Sequence, residues 1–176
     1  QIPQPLFHGQ GVVDVLLADG DSQEGQVLEA FRLAEQLVLD NLIVHGDWND
    51  IQLSGIPTQT MATDLASIAA DIGFAVIEVQ NGNNQAQVCA ALEKAATLQG
   101  KGRPIFICYY TTMGNGVALM EEGSNTGKKN FHGAPLSDAE AKTALDALKL
   151  PTLSELTKAF VSVRKKHRER FLSAIK

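Results

Sequence analysis

Asp19, Gly20, Asp21 and Glu24 crowd the stretch LLADGDSQEG, where an apolar run gives way to acids. Thirty residues after Asp19, a second handover, GDWNDIQLSG over 46–55, carries Asn49. A carboxylate, a side-chain amide oxygen and a backbone carbonyl are hard-oxygen donors of the kind that bind Mg2+ or Ca2+. Mg2+ in particular is usually completed by water and phosphate oxygens. A glycine directly after the acid lets a phosphate approach the backbone, and a following helix offers its N-terminus to the anion. Each loop alone also has a plain reading. Asp-Gly after a strand makes a turn, and acids suit the start of a helix. Asp21 is assigned to that helix start only. Together, with room for one helix and one strand between them, Asp19 and Asn49 read as two halves of one site.

The elements that must position these loops follow from hydrophobic patterning. Short apolar runs predict strands at Val12–Leu17, Leu42–His45, Phe74–Val79 and Ile105–Tyr110, with a polar loop starting at Gly46. Val27, Ala30, Phe31, Ala34, Leu37 and Val38 recur at helical spacing and predict a helix over Gln26–Leu39. Further helices are expected at Met61–Ile72, stopped by Gly73, and at Ala86–Leu98. Ser137 and Glu140 have the spacing of a capping box and start a helix that runs to Leu148. A last helix runs from about Leu153 to the end. Strands alternating with helices imply right-handed crossovers and an α/β fold, a mostly parallel sheet with helices on both faces. The segments VIEV and IFICYY are almost continuously apolar, as strands covered on both faces should be. In such sheets ligands bind beyond the carboxyl ends of the strands. The loops at 18–25, 45–55, 80–84 and 111–116 lie there.

The 176 residues suit one domain with a real core. A net charge of −5 argues against a dedicated nucleic-acid binder, whose footprint is basic, but leaves room for a local anion site. The basic run Arg164–Arg168 reads as a solvated helix face, with Phe160, Val163, His167 and Phe171 on its buried side. Cys89 and Cys108, in apolar surroundings, read as buried free thiols, which fits a reducing, cytoplasmic setting. No zinc-type Cys/His spacing, signal peptide or membrane-length apolar run is present. Residues 1–11 read as a loop or the remnant of a longer N-terminal segment, and His8 as a loop histidine. His45 is expected to pack or hydrogen-bond at its strand end, and Trp48 to pack.

Asp19-Gly20 followed by Asn49 resembles the thiamine-diphosphate signature that begins Gly-Asp-Gly and ends in Asn. Five stretches in order, DGDSQEG, LDNLIVHGDWNDIQLSG, GFAVIEVQNGNN, RPIFICYYTTMGNGVALME and FHGAPLS, resemble the diphosphate-binding domain of transketolase over roughly Val12–Leu150. The resemblance implies that Asp19 and Asn49 ligate Mg2+ by side chain and Ile51 by its backbone carbonyl. It implies that Gly20 and Asn49 contact the diphosphate, and that Glu24 supports the site and a dimer contact. His132, before GAPL, would lie near cofactor and substrate and move a proton or stabilise an oxyanion. The implied reaction is transfer of a two-carbon ketol unit between sugar phosphates, a transferase step of the pentose phosphate pathway, with thiamine diphosphate as electron sink.

Several features depart from the family pattern. Ala18 stands where the signature has its first glycine, and Asn115 where the family often has lysine. The family's earlier histidine-bearing segment has no counterpart before Val12. Its second, pyrimidine-binding domain would come from the rest of the chain or a partner subunit, in a homodimer. The expected organisation is therefore a terminal remnant over 1–11, a diphosphate-binding domain over 12–150, and a helix or linker to a second domain over 151–176. The chain alone is not expected to be active. The alternatives are another thiamine enzyme, such as a deoxyxylulose-phosphate synthase, and a non-catalytic module that keeps the fold for assembly or regulation.

Overall fold

The computed structural model describes residues 11–53, 55–60, 63–149 and 153–174. The chain divides into two compact units, Gln1–Pro135 and Leu136–Lys176. In the first, the apolar runs become β1 (Val13–Ala18), β2 (Leu42–Trp48), β3 (Ala75–Val79) and β4 (Ile105–Tyr110). They pair in the order β1-β2-β4-β3, every neighbouring pair parallel. Parallel neighbours need crossovers, and each crossover carries a helix. These are α1 (Gly25–Gln36), the short α2 (Pro57–Thr60) with α3 (Leu65–Ile72), and α4 (Gln85–Leu98). The α/β fold is the expected one.

Strand side chains alternate between two cores. On one face Leu17, Val44, Phe106 and Cys108 meet Phe31 and Ala34 of α1, Leu65, Ala66 and Ala69 of α3, and Phe74. On the other, Ile43, Ile77, Val79, Ile105 and Ile107 meet Ala91 and Ala95 of α4. Helices thus flank both faces, which is why the central strand β4 is continuously apolar. Phe31 stacks on Phe74 at 4.7 Å and meets Phe106 edge-on at 5.7 Å. Each such ring contributes about 1.5–3 kcal/mol by burial. β1 and β3 are the edge strands, and Leu16 on β1 is 86% exposed.

Several boundaries differ from the expectation. β2 runs past His45 to Trp48, so the polar loop starts at Asn49, not Gly46. Gly46 and Asp47 pair with β1 on one side and β4 on the other, and a doubly paired strand overrides weak intrinsic propensity. α1 stops at Gln36, not Leu39. The Leu39 N–H returns to the Ala34 carbonyl at 2.9 Å across Val38, which has a φ of 54°. That is a left-handed helix end with a valine where glycine usually stands. The helix expected over Met61–Ile72 is α3 alone. Asp64 caps it by accepting the Ser67 N–H at 3.0 Å, and Met61 and Ala62 lie outside the described residues. An additional helix, α5 (Ala118–Asn125), has Gly123 inside it, where a Cβ would stand 2.5 Å from the Phe131 ring.

In the second unit, α6 (Asp138–Leu148) starts with the expected reciprocal Ser137–Glu140 box. In α7 (Leu153–Ala174), Phe160, Val163 and His167 are exposed rather than buried. A unit of this size has too little structure to cover them. The Phe171 side chain lies outside the described residues. Cys108 is buried as expected, but Cys89 is exposed on α4, and both are free thiols. The α4 face that carries Cys89 turns away from the core that Ala91 and Ala95 enter. No described helix is long and apolar enough to cross a membrane. Residues 1–10, including His8, lie outside the described residues.

A Cβ at Gly46 would stand 2.6 Å from Trp48 Cζ3 and 2.9 Å from the Phe106 ring. Gly46→Ala is therefore expected to cost about 1–3 kcal/mol through overpacking. Urea unfolding measures this, and a wild-type midpoint would show that the two rings move aside.

Candidate functional site

Because β1 and β2 are parallel neighbours, the loops that follow them leave the same end of the sheet. Ala18 pairs with Asp47, and the Asp19 N–H continues the ladder to the Asp47 carbonyl at 3.1 Å. The Asp19 side chain is 4% exposed. Its Oδ1 accepts the Gly20 N–H at 2.7 Å, and its Oδ2 accepts the Asp50 N–H at 2.7 Å. Asp50 has a φ of 56°, a left-handed conformation that costs a non-glycine residue about 1 kcal/mol or more. The bond to Asp19 holds it there. The Ile51 N–H bonds to Asn49 Oδ1 at 2.9 Å, and the Gln52 N–H to the Gly55 carbonyl at 3.0 Å. In a trans peptide the carbonyl opposes the N–H. These three bonds therefore also set the directions of the Asn49, Asp50 and Ile51 carbonyls. The buried Ile51 side chain anchors the loop from below.

Burial pushes the Asp19 carboxyl above its ordinary value of 3.8, and the nearby Asp47 charge pushes the same way. The N–H groups of Gly20, Asp50 and Asn49 oppose this and hold the carboxylate. A bound cation would relieve the remaining cost of ionisation. A donor set of Asp19, Asn49 and the Ile51 carbonyl would be all oxygen with one negative charge, which would suit Mg2+ or Ca2+ and leave net positive charge for a phosphate. Among the described residues no three His, Cys, Asp or Glu side chains gather as a metal site.

Gly20 has an ordinary φ of −62°. A Cβ there would meet nothing closer than Gln52 Oε1 at 3.6 Å. Neither backbone nor packing within the chain requires glycine, so its bare backbone is available to an incoming group. Gln52 crosses this surface, accepting from Gln23 Nε2 at 3.0 Å and donating to Thr60 Oγ1 at 3.0 Å. Ala18 is not among the described residues with positive φ, so its methyl group meets no left-handed strain. Its N–H bonds to Asp21 Oδ2 at 3.2 Å. A 3-10 turn, Asp21–Gln23, follows Gly20, and α1 starts at Gly25, one residue before the expected Gln26. Glu24 is exposed at the N-cap position of α1 and makes no side-chain capping bond.

The other loops close in on the same end. Asp47 Oδ1 accepts the Thr111 hydroxyl, and the Thr112 N–H bonds to Asn83 Oδ1 at 2.8 Å. His132 is exposed on a segment that lies against the 49–53 loop. There Asn130 Nδ2 donates to the Gln52 carbonyl at 2.7 Å, and Leu53 fills the space where a Gly133 side chain would stand. Asn115 is exposed in its turn. His45 sits further down β2, between Asp14 Oδ1 at 2.9 Å and the Tyr109 hydroxyl at 3.0 Å, and Trp48 packs edge-on against Phe106. The structure thus gathers Asp19, Gly20, Asn49 and Ile51 and places the His132 segment beside them, while Glu24 stays at the surface. Sequence reasoning missed Asp47, Gln52, Thr111 and Asn130. Only the Asn-x-His spacing of Asn130 and His132, which suits an Asx turn, carries a readable local signal.

A four-stranded parallel sheet with its polar loops gathered at the carboxyl ends defines an α/β domain built for a ligand at that end. The chain belongs to the transketolase family: residues 9–160 match the family model described as "Transketolase, thiamine diphosphate binding domain". It is 36% identical to the transketolase of Geobacillus stearothermophilus over 132 residues, covering 75% of this chain and 19% of that protein. It is 35% identical to one subunit of the apulose-4-phosphate transketolase of Actinobacillus succinogenes, covering 77% of this chain and 46% of that relative. The crystal structure of transketolase from Campylobacter jejuni superposes with a TM-score of 0.68 at 29% identity, over 80% of this chain and 21% of the other. The chain therefore spans about a fifth of the length of the full transketolases it matches.

Asp19 holds its proton more tightly in the folded chain than in the unfolded one. Relative to Asp19→Asn, the wild-type chain should therefore lose stability as pH rises from 3.8 through the raised folded value, and the difference should then level off. Urea midpoints of both chains from about pH 3 to 8 check this. A pH-independent difference would show that Asp19 is not the buried, raised group.

Proposed function

We propose that this chain supplies the diphosphate- and metal-binding half of a transketolase-like active site. That site transfers a two-carbon ketol unit between sugar phosphates, using thiamine diphosphate and Mg2+, or Ca2+ in its place. The observation that carries the reading is the bond from the Asp50 N–H to the buried Asp19 carboxylate, 2.7 Å long, which fixes the Asn49–Ile51 turn beside Asp19. Asp19 and Asn49 would hold the ion by side-chain oxygens and Ile51 by its carbonyl. Gly20 and Asn49 would meet the diphosphate. When bound, thiamine diphosphate supplies the nucleophilic carbon and the electron sink.

The chain's own residues bind, orient and move protons. The exposed imidazole of His132, on a segment tied to the metal loop, would exchange a proton with substrate or stabilise an oxyanion. Exposed Glu24 is available to brace the site from a dimer contact. The activating, pyrimidine-binding side would come from the rest of the chain or from a partner subunit, in a homodimer. The similarity to a protein named as a transketolase subunit supports such a division. Residues 12–150 form the diphosphate-binding domain in this reading, and 151–176 a helix or linker to the second. Two free thiols suit a cytoplasmic setting. The relatives are transketolases, so a deoxyxylulose-phosphate synthase is not favoured. Ala18, the departure that pointed to a non-catalytic module, carries its methyl group without backbone strain and so does not favour that reading.

The test is a titration of thiamine diphosphate into the purified chain, with Mg2+ and then with EDTA, followed through the single tryptophan, Trp48, which adjoins Asn49. Metal-dependent saturation is expected. Asp19→Asn should weaken it by roughly 10–100-fold while leaving the fold intact. Equal affinity of wild type and Asp19→Asn would remove Asp19 from the metal site.

A further inference from the structure

We propose that Asn130 is a positioning residue that couples the metal loop to the segment carrying His132. The proposal rests on the reading of residues 49–51 as the metal loop. One amide side chain uses both of its ends here. Nδ2 donates to the Gln52 carbonyl at 2.7 Å, and Oδ1 accepts the His132 N–H at 2.9 Å. The second bond is local and closes an Asx turn, which sets the backbone of 130–132. The first spans 78 residues of sequence and is part-buried, so solvent competes for it only weakly.

The geometry gives the long bond its consequence. The Ile51 carbonyl shares a peptide unit with the Gln52 N–H, and that N–H is bound to the Gly55 carbonyl at 3.0 Å. The next peptide unit begins with the Gln52 carbonyl, which Asn130 holds. The backbone on both sides of the Gln52 α-carbon is therefore pinned, and the direction of the Ile51 carbonyl is set with it. A second contact runs in parallel. Leu53 Cδ1 stands 2.4 Å from where a Cβ of Gly133 would be, so the two segments touch on both sides of His132. The backbone at His132 cannot shift without pulling on the loop that would hold the ion. Occupation of that loop is accordingly felt at His132.

Asn130→Asp separates the two bonds. The carboxylate still accepts the His132 N–H but no longer donates to Gln52. The experiment uses the full chain labelled with 15N and reads the His132 ring signals and individual amide exchange rates by NMR. On adding Mg2+ and thiamine diphosphate, the wild-type His132 ring signals should shift. In Asn130→Asp that response should be lost, and the dissociation constant should rise about 3–10-fold, the loss of one net hydrogen bond. The His132 amide should stay protected in Asn130→Asp and lose protection in Asn130→Ala. If Asn130→Ala does not fold, the near-isosteric Asn130→Asp carries the test alone. A wild-type response of His132 in Asn130→Asp overturns the coupling. If the wild-type chain binds no thiamine diphosphate, the metal-loop reading fails, and the coupling is judged on the ligand-free protein. Faster exchange of the Asp50 and Gln52 amides in Asn130→Asp, with Val44 unchanged, then supports it. Unchanged exchange at all three overturns it.

Discussion

The bond between the Asp50 N–H and the Asp19 carboxylate joins two loops that are 31 residues apart, and the candidate site depends on it. It does three things at once. It satisfies a carboxylate oxygen that burial would otherwise leave costly. It holds Asp50 in a left-handed conformation, which costs a non-glycine residue energy although aspartate adopts it more readily than most. It also starts the series of pinned peptides that sets the carbonyls of the Asn49–Ile51 turn. A buried acid that accepts backbone N–H groups keeps further lone pairs available, so the bracing and the proposed ion share one side chain.

The sheet makes that bond possible. Parallel pairing in a shared register brings Ala18 beside Asp47, and a single further ladder bond, from the Asp19 N–H, puts the carboxylate at the base of the next loop. β2 carries the site because it is paired on both sides. Its last residues stay in register up to Trp48, and Asn49 leaves from a fixed point. The two apolar cores hold the strands in place from both faces, with Phe106 under Gly46 and Trp48. The loops after β3 and β4 then add the Asn83–Thr112 and Thr111–Asp47 links.

Much of this was legible in residue types alone. The strands announced themselves as apolar runs, the Ser137–Glu140 box as a cap, and Asp19 with Asn49 as acid and amide after two successive strands. What was hidden depended on partners distant in sequence. The end of β2 is set by pairing with β1 and β4, which no local window contains. α1 stops at Gln36 because the chain turns left-handed at Val38, a position where glycine is the usual residue. Gly123 sits inside α5 where the Phe131 ring leaves no room for a Cβ, a contact between residues eight apart. Cys89 has apolar neighbours in sequence, but on a helix adjacent residues point apart. Gln52 and Asn130 act through bonds to Gln23, Thr60 and the Gln52 carbonyl that span 8 to 78 residues.

The exposed strand β1 bears on how the chain behaves in a tube. Among the described strands it is paired on one side only, by β2, and Val13, Val15 and Leu16 are exposed along it. Such a rim is a template for another backbone, and native folds usually blunt it with charge, proline or a covering element. Here Asp14 is the acidic residue along β1, and it is engaged by His45. In concentrated solution the bare outer row of N–H and C=O groups along β1 is where a second backbone would pair, with Asp14 the one acidic side chain along that strand to oppose it.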